Sequence, residues 1–357
     1  MKKSLLALAA LTAFAGAASA QSSVTLFGIV DAAYGHVSAG GRSVSGISNS
    51  GYNSSRLGFR GVEDLGGGMT ASFWLEGQLS NDDGNAAGMN WQRRSTVSLS
   101  GSFGEIRLGR DYSPHFWNTT IFDPFGTNGV GQSNTLAMIS AAGTAAGVAA
   151  STAGVNAVRA NNSIGYFLPG NLGGLYGQVM VAFGEQPSNA ANKSQANLTS
   201  FRLGYAAGPL NTAFAYGNSK GASGASNLKY TNFGISYNMG AVMPMFQWAQ
   251  EKAGTGAKVS AWLFGATVPM GQGQFRAAIS SYDVSGTGVS SNDWKKFAIG
   301  YGYNLSKRTQ MYTTYARVSN SGAQVRSVTN NGLTLSSAAA SPGGSSTGYE
   351  FGIRHVF

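Results

Sequence analysis

From Val24 onward the chain alternates. Val24, Leu26, Gly28, Val30, Ala32 and Tyr34 put an apolar or aromatic group on one side of an extended segment, while Thr25, Phe27, Ile29, Asp31 and Ala33 fall on the other. The end repeats this: Tyr349, Phe351, Ile353, His355 and Phe357 oppose Glu350, Gly352, Arg354 and Val356. Side chains along a strand point to opposite faces with period two, so each segment predicts a strand with one apolar face and one mixed face. Similar segments recur near 54–61, 69–79, 91–101, 104–111, 160–168, 174–184, 198–207, 210–217, 229–239, 242–250, 258–268, 273–284, 293–303 and 309–319. With the two ends this predicts sixteen strands, an all-β chain with one strand and one connection about every 21 residues. Leu136 to Val158 is the nearest thing to a helical span. It is rich in Ala, Gly, Ser and Thr and lacks the Leu/Ile/Phe content that crossing a bilayer as a helix needs. Strands of about ten alternating residues can cross one.

The connections alternate too. Glu63 to Gly68, Ser102-Phe103, Pro169 to Gly173, Gly208-Pro209, Gly240-Ala241, Pro269 to Gly271 and Leu305 to Arg308 are tight and rich in Gly, Pro or Asn. Between them lie longer polar stretches: His36 to Asn53, Ser80 to Asn90, Glu185 to Asn197, Asn218 to Leu228, Ser285 to Asn292 and Asn320 to Thr347. Short turns at one end and long loops at the other predict a transmembrane barrel. A secreted soluble β-sandwich binding protein also alternates, but spreads its loop lengths less regularly.

Residues 1–20, MKKSLLALAALTAFAGAASA, read as a signal peptide: Lys2 and Lys3, an apolar run, then Ala18-Ser19-Ala20 before Gln21. Residues 21–357 are then the barrel. The chain has no cysteine, which excludes disulfides and thiolate metal sites, and only 3 His, so no metal or other cofactor is expected. The formal charge of +10 is spread along the chain without a nucleic-acid recognition fold, so no nucleic-acid partner is expected. Ser113, His115 and Asp111 are triad residue types, which leaves an outer-membrane hydrolase as a minor alternative.

Parity assigns directions inside a barrel. Leu57 and Phe59 suit lipid, so Arg56 and Arg60, with Gly58 between them, face the lumen. Arg on the lipid face would cost roughly 2–4 kcal/mol at the midplane. Glu76 opposes Phe73 and Leu75 and points inward. Arg94 opposes Val97 and Leu99 and does the same. Arg93 has the outward parity, near a strand end where a bulge could redirect it. Arg110 shares the parity of Ile106, at the exit toward the third loop, and Arg159 begins the strand after that loop.

Several stretches resemble one family. Val24 to Tyr34 looks like the first strand of Gram-negative general porins of the β-proteobacterial branch. SRLGFRGVEDLGGG at 55–68, WQRRSTVSLSGSFGEIRLGR at 91–110, NNSIGY at 161–166 and GIRHVF at 352–357 resemble later stretches in the same order. The resemblance implies a sixteen-stranded antiparallel barrel in the outer membrane, a homotrimer, and a long third loop folded into the lumen. It also places Arg110 at the constriction with Arg56, Arg60, Arg94 and Arg159. The acidic side would come from Glu76 and from Asp111 and Asp123 at and in the third loop. An arginine wall facing few acids predicts passive diffusion of small hydrophilic solutes with a preference for anions. Arg326, in the long final loop, is expected to lie apart from this wall.

The resemblance further implies that the terminal aromatic, Phe357, is read as an assembly signal during insertion. Deleting Phe357 should sharply lower the yield of folded protein in the membrane fraction, measured by heat-modifiable mobility on gels. A normal yield would remove that role.

Overall fold

The computed structural model of the chain describes residues 23–84, 90–133, 158–221, 223, 226–286, 293–330, 333, 335 and 341–357. The predicted signal peptide, and the apolar stretch from Leu136 up to residue 157, lie outside the described residues. The strands are β1 (Ser23–Ala39), β2 (Arg42–Asn49), β3 (Arg56–Gly66), β4 (Met69–Gln78), β5 (Arg94–Gly101), β6 (Gly104–Tyr112), β7 (Arg159–Phe167), β8 (Leu175–Ala182) and β9 (Leu198–Ala207). They continue as β10 (Leu210–Ser219), β11 (Leu228–Tyr237), β12 (Met243–Ala253), β13 (Lys258–Met270), β14 (Gly273–Ser285), β15 (Trp294–Asn304), β16 (Thr309–Asn320) and β17 (Ser345–Val356). A helix, α1 (Pro114–Ile121), follows β6, with proline in its first turn, where a missing N–H costs nothing.

All these strands form one antiparallel sheet that closes on itself where β1 pairs with β17, from Ile29 opposite Val356 to Ala39 opposite Ser346. β1 also pairs with β2 over Ala32–Ala39 and with β3 over Ser23–Ile29, so β2 and β3 are two lengths of one stave. The wall is therefore a closed barrel of sixteen staves.

One predicted loop is mostly strand. Residues 36–53 read as a long polar connection, yet β1 runs on to Ala39 and β2 returns beside it. The reason is the pair Gly40-Gly41, with φ of 57° and 76°. A two-residue hairpin with both φ positive matches the twist of the strands it joins, and glycine adopts it without strain. The chain then leaves the sheet between Asn49 and Arg56. There the buried Asp31 carboxylate accepts the backbone N–H groups of Tyr52 (2.9 Å) and Asn53 (2.6 Å) and the Tyr312 hydroxyl (2.5 Å).

The faces separate as the alternation requires. Val24, Leu26, Val97, Phe264 and Phe351 are more than half exposed on the outside, whereas Ser98, Asn232, Gln247 and Thr314 are buried on the inside. The segment from α1 to Ser133 makes its contacts with these inward side chains. Asn118 donates to Asn232 Oδ1 (2.8 Å) and accepts from Arg202 Nε (2.6 Å). Lys296 Nζ donates to the Gln132 carbonyl (2.6 Å), and the Val130 N–H donates to Glu350 (3.3 Å). Part of the inner wall is apolar: Tyr230, Val259, Leu263, Tyr282, Trp294 and Val318 cluster with Phe125, Val130 and Val328.

These directions are testable because the protein contains no native cysteine. A spin label on Val97→Cys should report an apolar surrounding, and one on Ser72→Cys an aqueous one. Exchanged environments would mean that the register is wrong. Gly58 and Gly352, also inward, are roofed by the Phe27 and Tyr312 rings and leave no room for a label.

Candidate functional site

The densest charge in the barrel lies on β3 to β7. Glu76, at 3 % exposure, is its hub. Its carboxylate accepts Arg93 Nε at 2.5 Å, Trp74 Nε1 at 3.0 Å and Arg56 Nη1 at 3.5 Å. Arg93 Nη2 reaches on to the Tyr112 hydroxyl at 2.7 Å. Arg159 Nη2 donates to the same hydroxyl, also at 2.7 Å, with its guanidinium carbon 4.3 Å from the Tyr112 ring centre. Arg56, Arg93, Tyr112 and Arg159 line one cavity of about 340 Å³ together with Trp117 and Asn128 of the inward-lying segment.

A second group lies beside the first. Asp111 accepts Arg107 Nη1 at 2.5 Å and faces Arg94 Nε at 3.8 Å, while Arg107 Nη2 pairs with Glu105 at 2.8 Å. Arg60 and Arg94 both lie against Trp74, at 5.4 and 4.6 Å from its ring. An aromatic face stabilises a guanidinium without neutralising it. Six arginines (Arg56, Arg60, Arg93, Arg94, Arg107 and Arg159) thus stand among three carboxylates (Glu76, Glu105 and Asp111), a formal surplus of three positive charges.

Most expected site residues are on this wall, and some are not. Arg56 and Arg159 line the cavity and Glu76 pairs with Arg56; Arg60, Arg94 and Asp111 lie in the adjoining group. Arg110 comes within reach of the Arg159 charge but has the outward parity. It pairs in register with Ser95, on the face that carries Val97 and Leu108, and it bonds the Gln92 carbonyl (2.5 Å) and Asn161. Alternation gives Arg110 the outward parity, at a bulge where the ladder to β7 shifts register between Gly109 and Asp111, which differs from the placement that the resemblance implied. Asp123 does not face the arginines either. Buried in its own turn, its carboxylate accepts the N–H groups of Phe125 (2.8 Å), Thr127 (3.2 Å) and Ser133 (3.3 Å). Arg326 lies 5.4 Å over the Trp294 ring of β15, not among the side chains of this wall, and burial pulls its pKa below the ordinary guanidinium value.

Arg93 and Tyr112 are the residues that parity misses. Arg93 precedes the first paired residue of β5, so the ladder does not dictate its direction, and its N–H bonds the Glu76 carbonyl from outside the strand. Tyr112 ends β6 and stacks on Phe116, 5.3 Å away at 8°. Parity does find a further basic group. Arg276 and Arg354 both lie against Tyr52, at 3.8 and 4.9 Å, opposite the outward Phe275 and Phe351. The triad residue types are otherwise engaged: Ser113 Oγ is 3.2 Å from His115 Nε2, but His115 Nδ1 meets Ser200 Oγ (3.0 Å) and Asp111 holds arginines. Among the described residues no group of His, Cys, Asp or Glu is arranged to hold a metal ion.

A model of the Gram-negative porin family matches residues 7–323. The chain is 40 % identical to outer membrane porin protein 32 of Delftia acidovorans over the full length of both chains. It is 28 % identical to an outer membrane porin protein of Bordetella pertussis, over 89 % of this chain and 94 % of that one. Among solved structures, an anion-selective porin from Comamonas acidovorans superposes with a TM-score of 0.81 at 35 % identity, covering 94 % of this chain and all of that one.

The hub makes a stability prediction. Glu76→Gln leaves Arg93 and Arg56 without their shared counter-charge at a buried site and should cost on the order of 3 kcal/mol. A lowered urea-unfolding midpoint in lipid vesicles is the expected result; an unchanged midpoint would mean that the cluster does not hold the wall together.

Proposed function

The chain belongs to the Gram-negative porin family, an outer-membrane channel for passive diffusion, and we propose that its arginine wall makes it prefer small anions. One observation carries this reading: Arg56, Arg93 and Arg159 line a single cavity, and one carboxylate, Glu76, is shared by the first two. The 35 % identity to a porin described as anion-selective supports it. A fixed positive surplus in a confined, weakly screened passage lowers the energy of an entering anion and raises that of a cation. The aromatic and hydroxyl partners Trp74 and Tyr112 hold guanidinium groups in place while leaving their charge in force.

In this reading the segment 113–133 is the start of the third loop, lying across the lumen and narrowing it opposite the arginines. Asp123 shapes that segment instead of supplying an opposing charge. Residues 1–20 direct export, the mature chain begins at Gln21, three copies assemble, and Phe357 serves insertion. Small hydrophilic solutes pass without any catalytic step.

Selectivity should follow the geometry. Combined Arg56→Ser and Arg93→Ser changes should move the zero-current potential in a KCl gradient toward zero, with conductance held or raised. Arg60→Ser should do less. Arg110→Ser and Asp123→Asn should leave the potential nearly unchanged. All effects should shrink in molar salt, where the Debye length is about 3 Å. If the double change leaves the potential where it was, the wall is not the filter.

A further inference from the structure

The cavity that Arg56, Arg93 and Arg159 line has two unlike ends, and Tyr112 joins them. Its hydroxyl takes a donor from Arg93 and another from Arg159. Its ring stacks on Phe116 and meets the Trp117 ring at 5.1 Å and 56°. Both of those rings belong to α1. Asn118, the next residue, is tied to the strands through Asn232 and Arg202, which fixes the turn of the helix and with it the side that Trp117 and Thr120 share. That side lines the cavity.

Two N–H groups at this cavity are unused among the described residues. Arg56 donates through Nε to the Ser54 carbonyl (3.0 Å) and through Nη1 to Glu76 (3.5 Å), but its Nη2 has no acceptor. The half-buried Trp117 donates no hydrogen bond from its indole nitrogen. The hydroxyl and amide groups beside them are neutral and already engaged. Ser54 Oγ donates to Asn128 Oδ1 (2.8 Å), and Thr120 Oγ1, Thr127 Oγ1 and Asn128 Nδ2 all donate to the Gly126 carbonyl. Among the described residues that line the cavity, only the three arginines are charged.

These features sort anions by shape. A halide has no use for an aromatic wall or for a volume of about 340 Å³, which is at the small end of organic-ligand sites. A dicarboxylate spanning the cavity would set its second charge against Trp117, Phe116 and Val158, where no cation answers it. A single carboxylate on a flat ring suits both ends. We propose, on the reading that the arginine wall is the filter, that this cavity binds aromatic monocarboxylates of the benzoate class as they pass. The carboxylate takes Arg56 Nη2, and the ring packs against Trp117, where aromatic contacts gain more than the buried area alone. The unused indole N–H is left for a hydroxyl on that ring.

Single channels of the whole protein in planar bilayers, bathed in constant KCl, test this by interruption of the current. Benzoate should half-block the current at about a tenfold lower concentration than acetate or cyclohexanecarboxylate, which carry the same charge without an aromatic ring. Trp117→Leu should erase that tenfold difference, and Trp117→Phe should keep most of it. Arg56→Ser should weaken all three carboxylates alike and leave their ratio as it was. The ratio is read only from channels that have inserted, so a variant that folds poorly still gives it. Equal half-blocking concentrations for the three carboxylates in the unchanged protein would overturn the proposal. So would a Trp117→Leu channel that still prefers benzoate tenfold, or succinate blocking the unchanged protein more tightly than benzoate does. The zero-current potential of the unchanged protein in a KCl gradient is a separate readout. Anion preference without benzoate preference sinks only the aromatic subsite, whereas no anion preference sinks the arginine wall with it.

Discussion

A backbone N–H or C=O at the depth of lipid has no water to turn to, and everything else in this protein follows from that shortage. A sheet meets it only by closing, because an open edge leaves a row of unpaired groups. The pairing of β1 with β17 is therefore the condition on which the other ladders stand. Closure also fixes which way every side chain points. Once the wall is a ring, parity decides between lipid and lumen, and at the depth of the hydrocarbon the outward positions must be apolar.

The arginine wall shows a compromise that this geometry permits. Arginines packed together repel, and burying them costs hydration. The wall answers with Glu76 as a shared acceptor, a tyrosine hydroxyl that takes a donor from each of two guanidinium groups, and a tryptophan face between Arg60 and Arg94. Two of these three devices carry no charge. A matching carboxylate for each arginine would have given a firmer wall and a neutral one.

Most of the architecture was legible because alternation is a local property written directly in residue type. Each of the sixteen predicted staves is present. What failed was local as well. The return strand Arg42–Asn49 is short and rich in Ser and Gly, so its polarity resembles a loop's, and only Gly40-Gly41 announces the hairpin. The site was legible where a ladder dictates direction, as at Arg56, Glu76 and Arg94. It was not where a residue stands just beyond a ladder's end, as Arg93 does. Asp123 failed for another reason: three backbone N–H groups take up its carboxylate, and such turn chemistry depends on how the chain folds back ten residues later at Ser133. Arg110 stands at a bulge, where alternation and likeness point different ways.

The split stave has a consequence for where charge sits along the passage. Arg56 is the first residue of β3, placed where the chain rejoins the sheet after the break. Its height above the turn at Gly66 is set by an 11-residue run of strand, about 34 Å along its length. The gap takes up whatever length the hairpin above requires, so that hairpin can lengthen or shorten without moving the arginine. Counting from below thus acts as a ruler, and the break insulates the depth of the positive charge from change at the outer rim.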